Sequence, residues 1–237
     1  TFPLPGTAVD CAVSGGADSV ALMLLACAAN LNVTAWHVDH GLRENSHTEG
    51  ALVAQLATQL GAQFESRTVS VKPGANTEAR AREARYAALP QGVMTGHTAD
   101  DQAETILINL LRGSGTRGLA GMQPTTQRPL LHIRRSETQT LCNALGIAVF
   151  HDPSNNDERF QRNRIRHEVL PLMESLAKRD LVPVLTRQAD LLRDDDDLLN
   201  ELAGALDLQS KQASDIVALR SELSATGKTA SEVPQLR

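Results

Sequence analysis

The sequence predicts an α/β protein with a doubly wound, mainly parallel sheet, followed by a smaller helical region. Strand-like and helix-like patterns alternate through the first half, which favours parallel strands joined by right-handed crossover helices. A short glycine-rich turn joins the first predicted strand to the first predicted helix. Because ligands of such sheets bind beyond the carboxyl ends of the strands, we expect the functional residues at that edge.

Four strands and four helices are predicted in this first half. The strands cover residues 8–13, 33–38, 63–69 and 93–96, and the helices cover residues 19–29, 46–60, 77–89 and 100–112. From residue 162 onward only helices are predicted, one over residues 162–176 with Pro171 as a kink, and a longer one over residues 185–206, interrupted by four aspartates. We therefore predict a catalytic domain over residues 1–180 and a helical region over residues 181–237.

Composition excludes several classes of protein. No apolar run approaches the roughly 18 residues that span a membrane, and no secretory signal pattern is present, so no membrane partner is expected. The three cysteines (Cys11, Cys27 and Cys142) stand in apolar contexts without a Cys-x-x-Cys pair. They are typical of reduced core residues, and the sequence therefore predicts a cytoplasmic protein.

The turn after the first strand has the features of an anion-binding site. Glycines let the backbone approach a ligand closely, two serine hydroxyls add donors, and the first amides of a helix have no partner within it. The helix dipole then favours a negative group, most simply a phosphate. The predicted phosphate-binding residues are Ser14, Gly15, Gly16, Ala17, Asp18 and Ser19. The alternative is an ordinary glycine turn.

Asp18 is the exception in this turn, because a carboxylate among phosphates is repelled unless a cation lies between them. Mg²⁺ prefers carboxylate and phosphate oxygens, so Asp18 is predicted to face a magnesium ion bound to the phosphates. The alternative role is that of a helix N-cap, and both roles can hold together.

The pattern Ser-Gly-Gly-x-Asp-Ser between a strand and a helix resembles the PP-loop of the ATP pyrophosphatase superfamily, whose members split ATP into AMP and pyrophosphate. It is not a Walker loop, since no Gly-Lys-Ser/Thr follows the glycines. Later segments narrow the resemblance: His37-Val-Asp-His40-Gly-Leu-Arg43, residues 96–105, residues 111–122, Arg128-Pro-Leu-Leu131, Asp152-Pro-Ser-Asn155 and Arg162-Asn-Arg-Ile-Arg166. In this order, from residue 8 to about residue 171, the chain is similar to the tRNA(Ile)-lysidine synthetases.

The resemblance implies a ligase that attaches lysine to C2 of the wobble cytidine in the isoleucine tRNA with a CAU anticodon. The cytidine is first adenylated with release of pyrophosphate, and lysine then displaces AMP. ATP and Mg²⁺ are the implied cofactors, and the partners are tRNA(Ile) and free L-lysine. Residues 181–237 are then expected to contact tRNA or to act as a linker. The sequence leaves the oligomeric state open, and a homodimer is one assembly that it allows.

His97, Asp101 and Glu104 lie just after the fourth predicted strand and at the start of a helix. Asp101 and Glu104 are three residues apart, hence on one helix face. The helix dipole favours carboxylates there, so capping of the first turn is the alternative. The resemblance implies that His97 and Asp101 are catalytic. Glu104 is predicted to bind substrate, as part of an acidic wall that holds the lysine ammonium or the magnesium.

His37 ends the second predicted strand, where the resemblance implies the adenosine pocket. A second histidine, His40, follows three residues later and invites a zinc interpretation. On a strand, however, positions three apart point to opposite faces, and no cysteine or third histidine lies nearby, so a zinc site is disfavoured. The remaining alternative is a plain loop after a strand.

A glycine-rich segment over residues 113–118 satisfies the pattern Gly-x-Gly-x-x-Gly of dinucleotide-binding folds. It follows a predicted helix rather than a strand, and no convincing helix starts at its end, so that interpretation fails on context. We predict instead a mobile loop that closes over the nucleotide and an RNA phosphate. Arg112 and Gly113 are assigned to the nucleotide, and Arg117 is assigned to the RNA.

Two groups of arginines stand out against the net charge of −5. The first lies in residues 105–136, which contain no Asp or Glu, and the second in residues 159–166. The members are Arg112, Arg117, Arg128, Arg134 and Arg135, and then Arg159, Arg162, Arg164 and Arg166. Solvated helix faces are the alternative, but we predict a track for an RNA backbone. Arg162 and Asn163 are predicted to bind substrate, and Arg166 to reach the reaction centre.

Three other functions are compatible with a PP-loop. A cytidine thiolase usually needs cysteines for sulfur transfer or an iron–sulfur cluster, and the chain has no Cys-x-x-Cys pair. An amidating synthetase should carry or recruit a glutaminase, and no setting for its catalytic cysteine is visible. A non-catalytic ATP-binding module would need neither the pair of His97 and Asp101 nor the arginine groups. Release of AMP that depends on tRNA and lysine would separate these functions.

Overall fold

The structure, a computed structural model, describes residues 2–39, 46–69, 77–150, 157 and 159–226. Two segments that carry the resemblance reach outside the described residues: residues 40–43 of the first and the whole of residues 152–155. The described part contains a parallel sheet flanked by helices, which confirms the predicted α/β class.

Three parallel strands form the sheet in the order β1-β2-β3: β1 (Ala8–Ala12), β2 (Asn32–Asp39) and β3 (Gln63–Thr68). In the register of the sheet, Ala8 pairs with Asn32 and Thr34 pairs with Gln63. Buried positions alternate along most of β2, so one of its faces packs on the core. The three strands end at the same edge, which is where the sequence places the functional residues.

The fourth predicted strand, residues 93–96, is reduced to a single bridge. Met94 N donates to Asp10 O at 2.8 Å, and Ala12 N donates to Met94 O at 2.9 Å, on the edge of β1 opposite β2. The next amide, that of Thr95, donates to Gln127 O instead, so the ladder does not continue. The segment still runs parallel to β1, and it therefore delivers the residues that follow it to the end of β1.

Four helices coincide with predicted helices to within two residues: α1 (Ala17–Ala28), α2 (Ser46–Gln59), α3 (Thr77–Ala88) and α4 (Ala99–Leu111). Two helices are absent from the prediction: α5 (Thr116–Leu119) and α6 (Arg135–Ala144). The short α5 lies inside the glycine-rich segment. In α6 the buried residues are Thr138 and Cys142, four positions apart, but most of its residues are polar, so no run of apolar residues indicates a helix.

The helix predicted over residues 162–176 is divided into α7 (Gln161–Arg164), a π-helical turn (Ile165–Val169) and α8 (Leu170–Ala177). Pro171 lies in the first turn of α8, directly after the π-helical turn, and has no N–H to donate to a carbonyl of that turn. The next helix, α9 (Val182–Thr226), is longer than predicted and continues through the four aspartates, which are mostly exposed to water. Within the described part of the chain, no helix combines the length and the apolar character needed to cross a membrane.

Two apolar clusters hold these elements together. The larger one joins α1 and β1 to α2, β2 and α6, around Leu22, Met23, Val33, Val53 and Cys142. In the smaller one, side chains of α4 pack against the π-helical turn, α8 and the start of α9; its buried members are Ala99, Ala103, Leu107, Ile165, Leu170, Leu181 and Val182. This second cluster brings α7 and the π-helical turn beside α4. The division of the chain at residue 180 stays a prediction.

Candidate active site

The turn over residues 14–19 connects β1 to α1 and has no side-chain cap on the helix. Gly15 adopts φ +90°, a conformation that favours glycine, and Gly16 is the N-cap of α1. Ser19 Oγ donates to Gly16 O at 2.8 Å and accepts a hydrogen bond from Ser14 N at 3.1 Å. The turn is therefore folded tightly around its own hydroxyls, and its shape fits an anion at the N-terminus of α1.

Asp18 occupies the first turn of α1 and is held by α6. Its Oδ1 accepts a hydrogen bond from the Thr138 hydroxyl, and its Oδ2 accepts one from Arg135 Nε at 3.3 Å. Burial raises the pKa of Asp18, and the nearby Asp101 carboxylate adds to this; Thr138 and Arg135 oppose the shift without cancelling it. A partly buried carboxylate in this position fits the predicted magnesium ligand, because Mg²⁺ prefers carboxylate oxygens.

His97 follows Gly96, which packs directly on the backbone of Asp18. This contact places His97 beside the turn over residues 14–19, although the two are distant in sequence. His97 Nδ1 lies 2.7 Å from Thr95 Oγ1, and that hydrogen bond orients the ring. His97 and the turn thus lie at the same edge of the sheet, as predicted, while the catalytic role of His97 stays a prediction.

Asp101 caps α4, as the alternative interpretation of this segment expected. Its Oδ2 accepts hydrogen bonds from Thr98 N and Thr98 Oγ1, both at 2.9 Å, and its Oδ1 accepts one from Arg135 Nη2 at 3.0 Å. Burial acts to raise the pKa of Asp101. Arg135, the Thr98 amide, Arg162 and His97 lower it by more than burial raises it, so the pKa of Asp101 lies below its usual value. Asp101 is thus an anion in the folded protein at neutral pH.

Glu104 is fully buried and surrounded by guanidinium groups. Its Oε1 accepts hydrogen bonds from Arg135 Nη1 at 3.1 Å and Arg166 Nε at 2.7 Å. Its Oε2 accepts hydrogen bonds from Arg162 Nε at 2.9 Å and Arg166 Nη2 at 3.1 Å. The predicted contact of Glu104 with substrate stays untested; in this geometry its carboxylate holds arginines.

These side chains form one group, which we call the arginine–carboxylate cluster. Its members are Asp18, Asp101, Glu104, Arg135, Arg162 and Arg166. Three carboxylates face three guanidinium groups, so the formal charges balance. The cluster thus brings together residues with three predicted roles. They are the catalytic residues Asp101 and Arg166, the magnesium ligand Asp18, and the substrate-binding residues Glu104 and Arg162.

Arg135 and Thr138 are the site residues that sequence reasoning missed. Arg135 was grouped with the arginines of a predicted RNA track, and Thr138 carried no signal of its own. Their roles depend on α6 packing against α1, which no local pattern in the sequence reveals. The available signal was the position of Arg135 shortly after the Arg128-Pro-Leu-Leu131 segment of the resemblance.

The structure divides the second arginine group by exposure. Arg162 and Arg166 face Glu104, with side chains 29% and 22% exposed. Arg159 and Arg164 are 85% and 60% exposed and pair with Asp157 and Glu168. The buried predicted ligand Asn163 donates to the main-chain oxygen of residue 157 at 3.0 Å. An RNA contact at this group stays a prediction, and the exposed arginines present the surface for it.

The glycine-rich segment over residues 113–118 follows α4 directly. Arg112 and Arg117 are exposed, and Gly113 turns the chain at φ +76°. The segment is fastened to α4, because Asn109 Nδ2 donates to Gly118 O at 2.7 Å. The assignment of these residues to nucleotide and RNA stays a prediction.

His37 lies at the end of β2 and is buried, with Nδ1 2.9 Å from Val13 O. A cleft of about 240 Å³ opens beside it, lined by Asp39, Phe64 and Ser66 among others. His37 links the cleft to the chain just after β1, through its hydrogen bond with Val13 O. The position of the cleft fits the adenosine pocket implied by the resemblance, and His40 lies outside the described residues.

Comparison with known proteins gives consistent matches. A family profile described as a PP-loop domain matches residues 3–173. The chain is 45% identical over 215 residues to the tRNA(Ile)-lysidine synthase of Rhodococcus erythropolis, covering 87% of this chain and 66% of that protein. It is 43% identical over 239 residues to that of Nocardia farcinica, covering 96% and 74%. It is 45% identical over 201 residues to that of Mycobacterium tuberculosis, covering 81% and 61%.

The chain thus spans 61% to 74% of the length of these curated relatives. Among solved structures, a U34-tRNA thiolase from Methanococcus maripaludis superposes with a TM-score of 0.65 at 17% identity, covering 80% of this chain and 73% of that one. At that identity the likeness shows a shared fold.

Proposed function

This chain belongs to the tRNA(Ile)-lysidine synthase family of PP-loop proteins, which use ATP, and we propose from this that it ligates lysine to the wobble cytidine of an isoleucine tRNA with a CAU anticodon. One observation carries the proposal beyond family membership. Asp18 of the turn over residues 14–19 meets Asp101 and Glu104 in the arginine–carboxylate cluster. This contact supports an ATP site that lies next to a site for a charged substrate.

The proposed reaction has two steps. The O2 oxygen of the cytidine attacks the α-phosphorus of ATP, which breaks the bond to the β-phosphate oxygen and releases pyrophosphate. The ε-amine of lysine then attacks C2, and AMP leaves with the former O2 oxygen. The first step turns a poor leaving group into a good one, which explains why the protein grips the pyrophosphate end of ATP.

The residues of the turn supply the phosphate site. The first amides of α1 and the hydroxyls of Ser14 and Ser19 bind the β- and γ-phosphates, and Asp18 would hold the magnesium ion. A magnesium ion held by Asp18 would supply positive charge that offsets the negative charge of the departing pyrophosphate. The cleft beside His37 receives the adenosine, and Arg112 and Gly113 close over the nucleotide.

The second step needs a neutral amine. With a reference pKa of about 10.4, about one lysine amine in 2,500 is neutral at pH 7, which corresponds to about 4.6 kcal/mol. His97, oriented by Thr95, is placed to accept a proton or to stabilise charge on the α-phosphoryl group. Asp101 positions the ammonium before it loses its proton, and Arg166 reaches the reaction centre from the π-helical turn.

The proposal extends to the tRNA and to the rest of the chain. Arg117, Arg162 and Asn163 contact the tRNA, and residues 181–237 extend that contact or act as a linker. The protein acts in the cytoplasm with free L-lysine, and a homodimer is compatible with this function.

A cytidine thiolase is the second candidate, since a tRNA thiolase shares the fold. The three cysteines speak against it. Burial raises the pKa of Cys11 to about 12 and also raises the pKa values of Cys27 and Cys142. A thiol with a raised pKa is a poor sulfur nucleophile at neutral pH, because the thiolate is the reactive form.

The test is a nucleoside digest of isoleucine tRNA after incubation with ATP, Mg²⁺ and labelled lysine. We expect a labelled cytidine derivative, release of pyrophosphate that depends on tRNA, and release of AMP that depends on both tRNA and lysine. A thiolated nucleoside with a sulfur donor would support the second candidate instead. Binding of ATP without release of AMP would indicate a non-catalytic module and contradict the proposal.

A further inference from the structure

Arg135 joins two parts of the site that are distant in sequence. Its Nε donates to Asp18 Oδ2 at 3.3 Å, on the nucleotide turn. Its Nη2 donates to Asp101 Oδ1 at 3.0 Å and its Nη1 to Glu104 Oε1 at 3.1 Å, both on α4. Each nitrogen of the guanidinium therefore faces a different carboxylate, and the planar group spans the gap between α1 and α4.

The start of α6 is itself fastened on both sides of this gap. The backbone N of Arg135 donates to Asp100 Oδ2 at 2.8 Å, on α4. One turn later, the Thr138 hydroxyl donates to Asp18 Oδ1, on α1. The Arg135 side chain is 19% exposed, so its rotamer is restricted by its surroundings. Its position is thus defined by contacts to both parts that it joins.

The three carboxylates do not depend on Arg135 equally. Glu104 also accepts hydrogen bonds from Arg162 and Arg166, so it keeps two guanidinium partners without Arg135. Asp18 has Arg135 as its ion-pair partner among the contacts described, with the neutral Thr138 beside it. Loss of Arg135 therefore releases Asp18 from α4 while leaving the buried Glu104 compensated.

We propose that Arg135 is a positioning residue, which sets Asp18 of the nucleotide turn against the segment from His97 to Glu104 so that ATP and its acceptor meet in one geometry. This inference rests on the proposed function, because it names the residue that aligns the first step of that reaction. In this role Arg135 acts through Asp18 and α4, and ATP affinity comes from the amides and hydroxyls of the turn.

The main test compares Arg135→Gln and Arg135→Lys with the wild-type protein, and Arg179→Gln, an exposed arginine after α8, serves as the control. The dissociation constant of ATP–Mg²⁺ is measured by calorimetry, and pyrophosphate release is measured at saturating ATP and tRNA. We expect the dissociation constant to change less than about 3-fold and the rate to fall about 10- to 100-fold. The rate of Arg135→Lys should be little higher than that of Arg135→Gln, because an ammonium group cannot reproduce the planar set of donors of a guanidinium. Arg179→Gln should match the wild type.

Two results would overturn the inference. One is pyrophosphate release by Arg135→Gln at the wild-type rate. The other is a dissociation constant for ATP–Mg²⁺ raised more than about 10-fold with a wild-type rate at saturation, which would make Arg135 a direct ligand of ATP.

A double-mutant cycle with Thr138→Val separates positioning from general damage. If Arg135 and Thr138 both act through Asp18, the fold-loss of rate in the double variant should be smaller than the product of the fold-losses in Arg135→Gln and Thr138→Val. A double variant whose fold-loss of rate equals that product would contradict the inference that both residues act through Asp18.

A second cycle uses melting temperatures and needs no enzymatic activity. Arg135→Gln is combined separately with Asp18→Asn and with Asp101→Asn. Non-additive shifts in both combinations support the bridge, and additive shifts in both overturn it. If the wild-type protein makes no lysine adduct on tRNA, the proposed function fails, and this cycle still decides whether Arg135 joins the two segments.

Discussion

Gly96 and Asp18 touch backbone to backbone. A Cβ atom at Gly96 would lie 2.6 Å from the carbonyl oxygen of Asp18, 2.8 Å from its carbonyl carbon and 3.0 Å from Ser19 N. These atoms belong to the first turn of α1 and cannot move aside like the end of a flexible side chain. Glycine at position 96 is therefore what allows the segment that carries His97 to lie against the nucleotide turn.

Gly96→Ala should destabilise the protein by about 1–3 kcal/mol, because the added methyl group overlaps the backbone of α1. It should also weaken ATP binding, since relief of the overlap displaces the turn. Urea denaturation and calorimetric titration with ATP measure the two effects. Gly204→Ala is the control: nothing lies within 4 Å of that position in α9, so alanine should raise stability by up to about 1 kcal/mol. Equal stability of Gly96→Ala and wild type would contradict the close contact.

Glu104→Gln should lower the free energy of unfolding by about 3 kcal/mol, the lower end of the range for breaking a buried ion pair. The carboxylate is 0% exposed, whereas its arginine partners are 19–29% exposed and can regain some hydration. Glu168→Gln removes the partner of Arg164 in an exposed pair and should change stability by less than about 0.5 kcal/mol. Chemical denaturation of both variants checks the contrast, and similar losses in the two would show that the cluster is not the buried feature described.

Asp100→Asn should make stability less dependent on acid. Burial acts to raise the pKa of Asp100, but Arg134 and the Arg135 amide outweigh it and lower the pKa. The ionised carboxylate therefore stabilises the fold above its unfolded pKa of about 3.9, and this contribution is lost as pH falls through the lower folded pKa. We expect the variant to be less stable by about 1.5 kcal/mol at pH 7, with the difference shrinking below pH ~4.

Melting curves from pH 2.5 to 7 measure this convergence. Asp194→Asn, on an exposed position of α9, is the control and should follow the wild-type profile. A difference between Asp100→Asn and wild type that stays constant across the pH range would show that the charge of Asp100 is not the cause.

Arg164→Gln and Arg166→Gln should affect tRNA differently. Arg164 is 60% exposed and available to a phosphate, so its loss should reduce the slope of log affinity against log salt by about 0.7–0.9. Arg166 donates to Glu104, so its loss should slow the reaction and leave the slope unchanged. Filter binding across a salt series, with single-turnover rates, separates the two. The same slope change in both variants would contradict this division of the arginines.

His97→Ala should slow adenylation or lysine transfer by about 10²–10⁴-fold, the usual range for a lost proton-transfer group. Rapid-quench measurement of pyrophosphate release and of lysine transfer from preformed adenylated tRNA reports the two steps separately. Thr95→Val removes the hydroxyl 2.7 Å from His97 Nδ1 and should slow the same step by a smaller factor. Wild-type rates in both steps of His97→Ala would exclude a role for His97.

The strand, turn and helix over residues 8–29 could be predicted because they are built from neighbouring residues, while nucleotide binding there stays a prediction. Anion binding at a helix N-terminus needs a strand, a glycine turn and a helix in succession, and residues 8–29 contain all three. Capping of α4 by Asp101 is equally local, since the carboxylate and Thr98 are three residues apart. The prediction of a fourth strand, by contrast, was wrong beyond Met94. Thr95 N donates to Gln127 O, so the hydrogen bonds between this segment and β1 end there.

The sequence by itself therefore determined the fold class, the glycine turn over residues 14–19 and the residues that follow each strand, because periodicity and turn chemistry act over a few residues. Only the tertiary structure decided which charges face one another. Arg135 reaches Asp18 because α6 packs on α1, and Arg162 and Arg166 reach Glu104 because an apolar cluster seats the π-helical turn beside α4. Arg166 is thus half-buried against Glu104 while Arg164 is exposed, because ion pairing between distant segments follows from packing and not from spacing along the chain.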